Sequence, residues 1–328
     1  HKKESIEKRQ EKIDSLRENA LKEIYDKHGV DKIVSLSFTV KEEWSLGHSA
    51  ARVIENEDEI LLICEQLKND RSMLRFVFAF IIRKSLMNSI EWVFALYEKL
   101  KKKGFPSSAL ANLLIPIQQS EKLWNFIDSI DINDRNEYWL NITPHFYSVS
   151  KDEKIRGLKA LLDYRRFYSA IDICAHFAEE IPTDLIATIL FRGATEAASE
   201  TINIRGYEIG QLFEAIDKNG GVEEQQLINI EWLYLPVLES YGTRRTPKLL
   251  HETLAKDPEF FITVLKWAYK PDNDELLEAE KKELSEELIT NRGMQAYQLF
   301  QSWKKIPGVD ESGKIDVNIL NAWIDKAR

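Results

Sequence analysis

The chain reads as an all-α protein, an irregular α-solenoid of stacked antiparallel helical hairpins of the tetratricopeptide or HEAT kind. Three observations predict it. The 328 residues are 44% apolar and 30% charged but include only 13 Gly and 9 Pro, poor material for tight-turned sheets and rich material for helix interiors, which exclude both. Apolar side chains recur at three- and four-residue spacing through much of the chain. Between Ile228 and Tyr269, three short amphipathic stretches are punctuated by Pro236, Pro247 and Pro258. That alternation of helix and stop is what stacked hairpins require.

Taken in order, residues 4–28 place Ile6, Ile13, Leu16, Ala20 and Ile24 on one face of a long charged helix that ends at Gly29. Leu36, Phe38 and Val40 alternate with polar residues and are the one stretch that suggests a strand. From Glu57 to Lys103 the pattern is helical. The apolar run Met73–Ile82 is interrupted by Arg75 and is half the length of a bilayer-spanning helix, so it is expected to be buried. Lys99, Lys101, Lys102 and Lys103 crowd a last turn before Gly104, where cations complement the helix dipole and glycine takes the left-handed cap. Helices are expected at 107–117, 121–130, 136–142 and 151–164, with 131–135 as a connection.

The pair 166–180 and 183–197 follows, its close approach allowed by Ala170, Ala175, Ala178 and Ala187. Pro182-Thr183-Asp184 is expected to open the second member with a turn and an N-cap. Longer helices are expected at 207–218, 222–241, 247–256 and 258–270. Pro247 and Pro258 are expected in first turns behind the caps Thr246 and Asp257, and Pro236 is expected to kink or break its helix near 232–235. Residues 272–290 carry eight acidic and two basic side chains and read as an acidic helix or a disordered loop. A last pair, 294–305 and 317–328, closes the chain. The array has no fixed period. It divides into an N-terminal helical region, 1–150, and a C-terminal helical-repeat region, 151–328, continuous with the first.

A formal charge of −9 repels nucleic acid and anionic lipid unless a concentrated basic patch exists. Cys64 and Cys174 lie among apolar neighbours and behave as small hydrophobes, which fits a reducing cytoplasm. The chain begins at His1, with first residues unlike a signal or transit peptide, and is expected to be part of a larger protein.

Chemistry-bearing motifs are sparse. The text has no GxxxxGK or GxGxxG to nest phosphates and no GxSxG nucleophile turn, so no nucleotide, cofactor or catalytic residue is expected. The six histidines do not occur as HExxH or at ligand spacing with the cysteines, so no metal is expected. Asp310–Asp316 imitates part of a calcium loop, but Gly308 and Ile319 stand where the first and last ligands belong. Asp316 is read instead as the cap of the final helix. The candidate partner or anion contacts are Arg165, Arg166, Arg244, Arg245 and Lys248, cations that precede or join helix starts.

The phrases RRFYSAIDIC, YEIGQLFEAID with IEWLYLPVLE, LAKDPEFFITVLKWAYKP and AYQLFQSWKKIPGVDESGKIDVNILNAWIDKAR carry a resemblance. From about Ile155 onward the chain resembles the C-terminal helical region of large multidomain bacterial proteins, mostly uncharacterised, of the type associated with antiviral defence. The phrases consist of packing and capping residues and carry over no catalytic residue; residues 1–150 show none like them. The resemblance implies a helical-repeat sensor or scaffold attached to effector or nucleotide-binding parts. The expected role is a non-catalytic interaction module whose partner is a protein or a neighbouring domain, with no membrane. The alternatives are a nucleic-acid-sensing surface, formed if Arg75, Arg83, Lys84, Arg165, Arg166, Arg244 and Arg245 converge, or an enzyme with an unrecognised site.

Overall fold

The computed structural model describes residues 6–70, 74–199, 206–238, 245–269, 286–303, 307–309 and 312–327. These residues form seventeen α-helices and no β-strand, the all-α class that composition and periodicity predict. No described helix is long and apolar enough to cross a membrane. The chain divides into two compact units, His1–Glu153 and Lys154–Arg328.

The first unit holds α1 (Ile6–Ser37), α2 (Glu43–Val53), α3 (Glu57–Cys64), α4 (Arg75–Asn88), α5 (Ile90–Lys102), α6 (Ser107–Leu114), α7 (Glu121–Ser129) and α8 (Ile132–Asn141). In α1 the backbone leaves helical geometry at Gly29 (φ 72°), the break expected there, and then resumes. Residues 30–37 are therefore helix rather than the strand suggested by Leu36, Phe38 and Val40. The alternation is the accident of a short helical segment whose Val30, Ile33 and Ser37 point inward.

Side-chain caps set several of the boundaries. Asn56 accepts from the amides of Asp58 and Glu59 to open α3, and Ser120 caps α7 through Leu123. Asp131 accepts from the Asn133 amide and so starts α8 at Ile132. The stretch 131–135, expected to connect, is the first turn of a helix, because an aspartate at the cap stabilises it. Gly104 adopts φ 78°, and the Phe105 amide reaches back to the Leu100 carbonyl at 3.2 Å, the left-handed cap predicted after the lysine run.

Packing within this unit is tightest between α2 and α4. A Cβ placed on Gly47 would lie 2.1 Å from the Phe76 carbonyl oxygen and 3.0 Å from the Ala79 Cβ, so only glycine permits this approach. The apolar run lies in α4 from Arg75 to Ile82, behind the cap residue Leu74, with Phe76, Val77, Phe80 and Ile81 buried as expected; Met73 lies outside the described residues. Trp124 of α7 packs at 5.7 Å from Trp139 and 5.3 Å from Phe146. Gln119 closes this corner, donating to Thr143 and accepting from the His145 amide at 2.8 Å each.

The second unit contains most of α9 (Lys151–Asp163), then α10 (Phe167–His176), α11 (Thr183–Thr195), α12 (Gly206–Asn219), α13 (Glu224–Leu238), α14 (Lys248–Lys256), α15 (Pro258–Tyr269), α16 (Glu286–Ser302) and α17 (Val317–Ala327). From α10 to α13 each helix packs on the next, and α10 with α12 and α11 with α13 also pack. Ala170, Ala175, Ala178 and Ala187 are all buried, and Gly193 brings α11 onto Ile171 and Tyr234. The Tyr234 hydroxyl donates to the Leu190 carbonyl at 2.8 Å. A second apolar cluster joins α13 to α16 through Trp232, Leu235, Leu250, Leu254, Val264, Trp267 and Leu299.

The prolines act less uniformly than the sequence suggests. Pro258 is the first residue of α15, and Asp257 caps it through the Glu259 and Phe260 amides, as expected. Pro247 is itself the cap residue of α14, not a first-turn residue behind Thr246. Pro182 likewise takes the cap position of α11 without a side-chain cap; Thr183 instead donates to the Gly220 carbonyl. Helix α13 runs unbroken through Pro236 over its described span, Glu224–Leu238. Asp316 caps α17 through Asn318 and Ile319, as read from the sequence. The acidic stretch 272–290 lies outside the described residues, apart from the backbone of 286–290 that begins α16.

Candidate functional site

The cations singled out in the sequence fall into different settings. Arg245 is 6% exposed and lies between two carboxylates. Its Nε and Nη2 donate to Asp217 of α12 at 2.8 and 3.2 Å, and its Nη1 lies 2.5 Å from Glu231 of α13. The guanidinium also stacks 4.4 Å from the Phe213 ring. Glu231 is wholly buried and accepts from the Leu249 and Leu250 amides at 3.2 and 2.8 Å. A carboxylate from α13 thus caps α14, filling the place that Pro247 and Thr246 leave open. Asp217, Arg245 and Glu231 form one charge-assisted network tying three helices together.

Arg166 is also buried, at the cap position of α10, and donates to Ser169 Oγ at 3.0 Å. Arg165 and Lys248 are exposed. Arg165 holds φ 55° as the left-handed residue ending α9, with the Arg166 amide bonded to Leu161 at 2.8 Å. Its carbonyl accepts from the Ser199 amide at 2.9 Å. Arg244 lies outside the described residues. Two of the four described candidates are therefore engaged inside the fold and two face solvent.

In the first unit, Lys101 and the Tyr97 hydroxyl both donate to Asp134, at 2.9 and 2.5 Å. Burial works to raise the Asp134 pKa, but hydrogen bonds from Ser107, Tyr97 and Lys101 outweigh it and hold the carboxyl below the ordinary aspartate value. Burial and the Asp134 contact push the Tyr97 phenol upward, so this is a staple between α5, α6 and α8 rather than a proton relay. Lys99 pairs with Glu57. Arg75 is exposed, and Arg83 and Lys84 lie farther along α4, Lys84 buried.

The two thiols are disarmed by their surroundings. Cys64 and Cys174 are both fully buried; desolvation pushes the Cys64 thiol to about 12 and the Cys174 thiol upward as well, opposite to what a reactive thiolate needs. His251 and Ser302, which the sequence does not bring together, meet at 3.0 Å. The Ser302 hydroxyl also lies 3.1 Å from the Leu299 carbonyl. The contact fastens α14 to the end of α16, helped by Trp303 Nε1 donating to the His251 carbonyl at 3.2 Å.

Three surface hollows have different characters. One of about 340 Å³ lies between α1 and α2 and is walled by Ala20, Leu21, Ile24, Leu36, Val40 and Leu46. Another, of about 380 Å³, lies where α10 meets α12 and presents Glu179, Glu180 and Glu214 beside Lys218. A third, of about 200 Å³, carries Glu55, Glu57, Trp92 and Lys99. Among the described residues no group of three or more His, Cys, Asp or Glu is placed to hold a metal ion.

Sequence reasoning missed Glu231 and Asp217. The available signal was Glu231 itself, an acid between Ile230 and Trp232 on a stripe that must be buried, which demands a cationic partner. Comparisons of the chain with protein-family models, with curated proteins and with solved structures found no match.

Proposed function

We propose that this chain is a non-catalytic interaction or sensor module, an irregular α-solenoid of stacked helical hairpins, belonging to a larger cytoplasmic bacterial protein of the antiviral-defence type. Its partner is a protein or a neighbouring domain. The observation that supports this reading is the packing order of α10 to α13. Contacts of each helix with the next, together with α10 on α12 and α11 on α13, are how hairpins stack when none can bury its apolar face alone. Such stacking makes surface in proportion to length. Arg165 and Lys248, exposed at the ends of their helices, are the cations of this reading that remain open to a partner.

Affinity capture from the native cells, with this chain as bait, tests the reading. The expected result is a defined protein partner whose recovery falls when Arg165 and Lys248 are both changed to Glu. Recovery of nucleic acid that weakens steeply with salt would favour the alternative, a nucleic-acid-sensing surface. Turnover of a co-purified small molecule would favour an enzyme.

A further inference from the structure

Helices α4 and α5 are joined by a single residue, Ser89, which holds φ 129° and ψ 172°. That conformation belongs to glycine, because an L side chain is crowded there by its own backbone. The chain places glycine at other positive-φ positions, Gly29, Gly104 and Gly220 among them, yet keeps serine at this one. Ser89 is exposed, and its hydroxyl does not cap α5, so no side-chain cap offsets the strain. The flanking sequence favours a different conformation. From Arg75 to Lys102 it has no Gly or Pro, and Ile82, Leu86, Ile90, Val93, Tyr97 and Leu100 recur at three- and four-residue spacing across the turn, as on one face of an unbroken helix. In the bent form Leu86 is left 68% exposed, with Met87 beside it also exposed.

We propose that Ser89 is the hinge of a domain-swapped dimer, whose partner is a second copy of this chain. When Ser89 turns helical, α4 and α5 become one helix over residues 75–102, roughly 40 Å long, and α5–α8 leave their own α1–α4. Two opened copies then remake between them the contacts that each gave up within itself. Those contacts include Lys99 with Glu57, Lys68 over the Phe105 ring at 4.0 Å and Asn112 donating to the Leu67 carbonyl at 3.0 Å.

The exchange therefore costs little in packing and relieves the backbone at two hinges at once. A short strained connection tilts the balance in this direction. Leu86 and Ile90, which the bend separates, then lie one turn apart on a continuous helix and supply apolar surface for the new contact around the hinge. Because two chains must meet, the monomer prevails when dilute and the dimer when concentrated.

The test refolds the full chain from denaturant at a series of protein concentrations and reads its mass by light scattering. A dimer that grows with concentration is expected. Ser89→Gly relieves the monomer and should lower the association constant about tenfold or more while raising the monomer's unfolding midpoint. Ser89→Ala leaves the bend strained and favours the straight helix, so it should raise the association constant. A chain carrying Glu57→Cys, refolded together with one carrying Lys99→Cys, should be joined to it by a short bismaleimide, since Cys64 and Cys174 are buried. A monomer at every concentration overturns the proposal. So does a dimer indifferent to both Ser89 substitutions, and so does a dimer in which the two engineered cysteines do not join across chains, the mark of ordinary side-by-side association.

Discussion

Replacing Arg245 with Met should be among the most damaging single changes in the second unit, and the reason lies in what is left behind. Arg245 and Glu231 are 6% and 0% exposed, whereas Asp217 keeps 31% of its side-chain surface in water. Removing the guanidinium strands a carboxylate in the interior with two amide donors and no countercharge, a loss of about 3–5 kcal/mol. Asp217→Asn, at the wet end of the network, should cost only about 1 kcal/mol. The double change Glu231→Leu with Arg245→Leu removes both charges and should be milder than Arg245→Met. It still leaves the Leu249 and Leu250 amides uncapped, at about 1 kcal/mol. Denaturant unfolding followed by tryptophan fluorescence measures the ranking, with Trp232 adjacent to Glu231 in sequence. Hydrogen exchange at the first turn of α14 locates the damage. Burial already pushes the Glu231 pKa up, against the pull of Arg245 and the two amides. Without Arg245 it climbs further, and a carboxyl whose folded-state pKa is raised favours the folded state as pH falls. The deficit should therefore shrink in mild acid. If Arg245→Met loses no more than Asp217→Asn, the buried network is not what fixes α14.

Gly47→Ala should destabilise the first unit by about 3 kcal/mol or more, because the added methyl meets backbone at the Phe76 carbonyl rather than a movable side chain; thermal unfolding measures it. Asp134, held below its ordinary pKa, contributes stability that is present above the unfolded aspartate value of about 3.9 and lost as pH falls through the folded one. Asp134→Asn should flatten that acid limb of the stability profile and lower stability at neutral pH. Cys64 and Cys174 should resist alkylation in the native chain and react only on unfolding. Rapid labelling of either thiol under native conditions contradicts their burial.

What the sequence made legible, and what it did not, follows from the range of the forces involved. Helices and their stops are written locally. Asp257 before Pro258, Asp316 before Val317 and Gly104 after the lysines each act on amides or carbonyls within a few residues, and each does in the structure what the text implies. Errors arise where a local signal is overruled at a distance. The break expected at Pro236 is absent among the described residues, where Leu235 and Leu238 on either side of it are packed inside. The cap expected from Thr246 is supplied by Glu231, fifteen residues upstream on another helix. The candidate cations show the same division most clearly. Arg244 and Arg245 are adjacent and identical in type, and composition does not mark Arg245 as the residue of a buried network. The deciding term is two carboxylates, on α12 and α13, brought together by helices packing on apolar faces. A pair of arginines before a helix start is therefore a weak sign of a binding site whenever an unmatched acid lies on a buried stripe nearby.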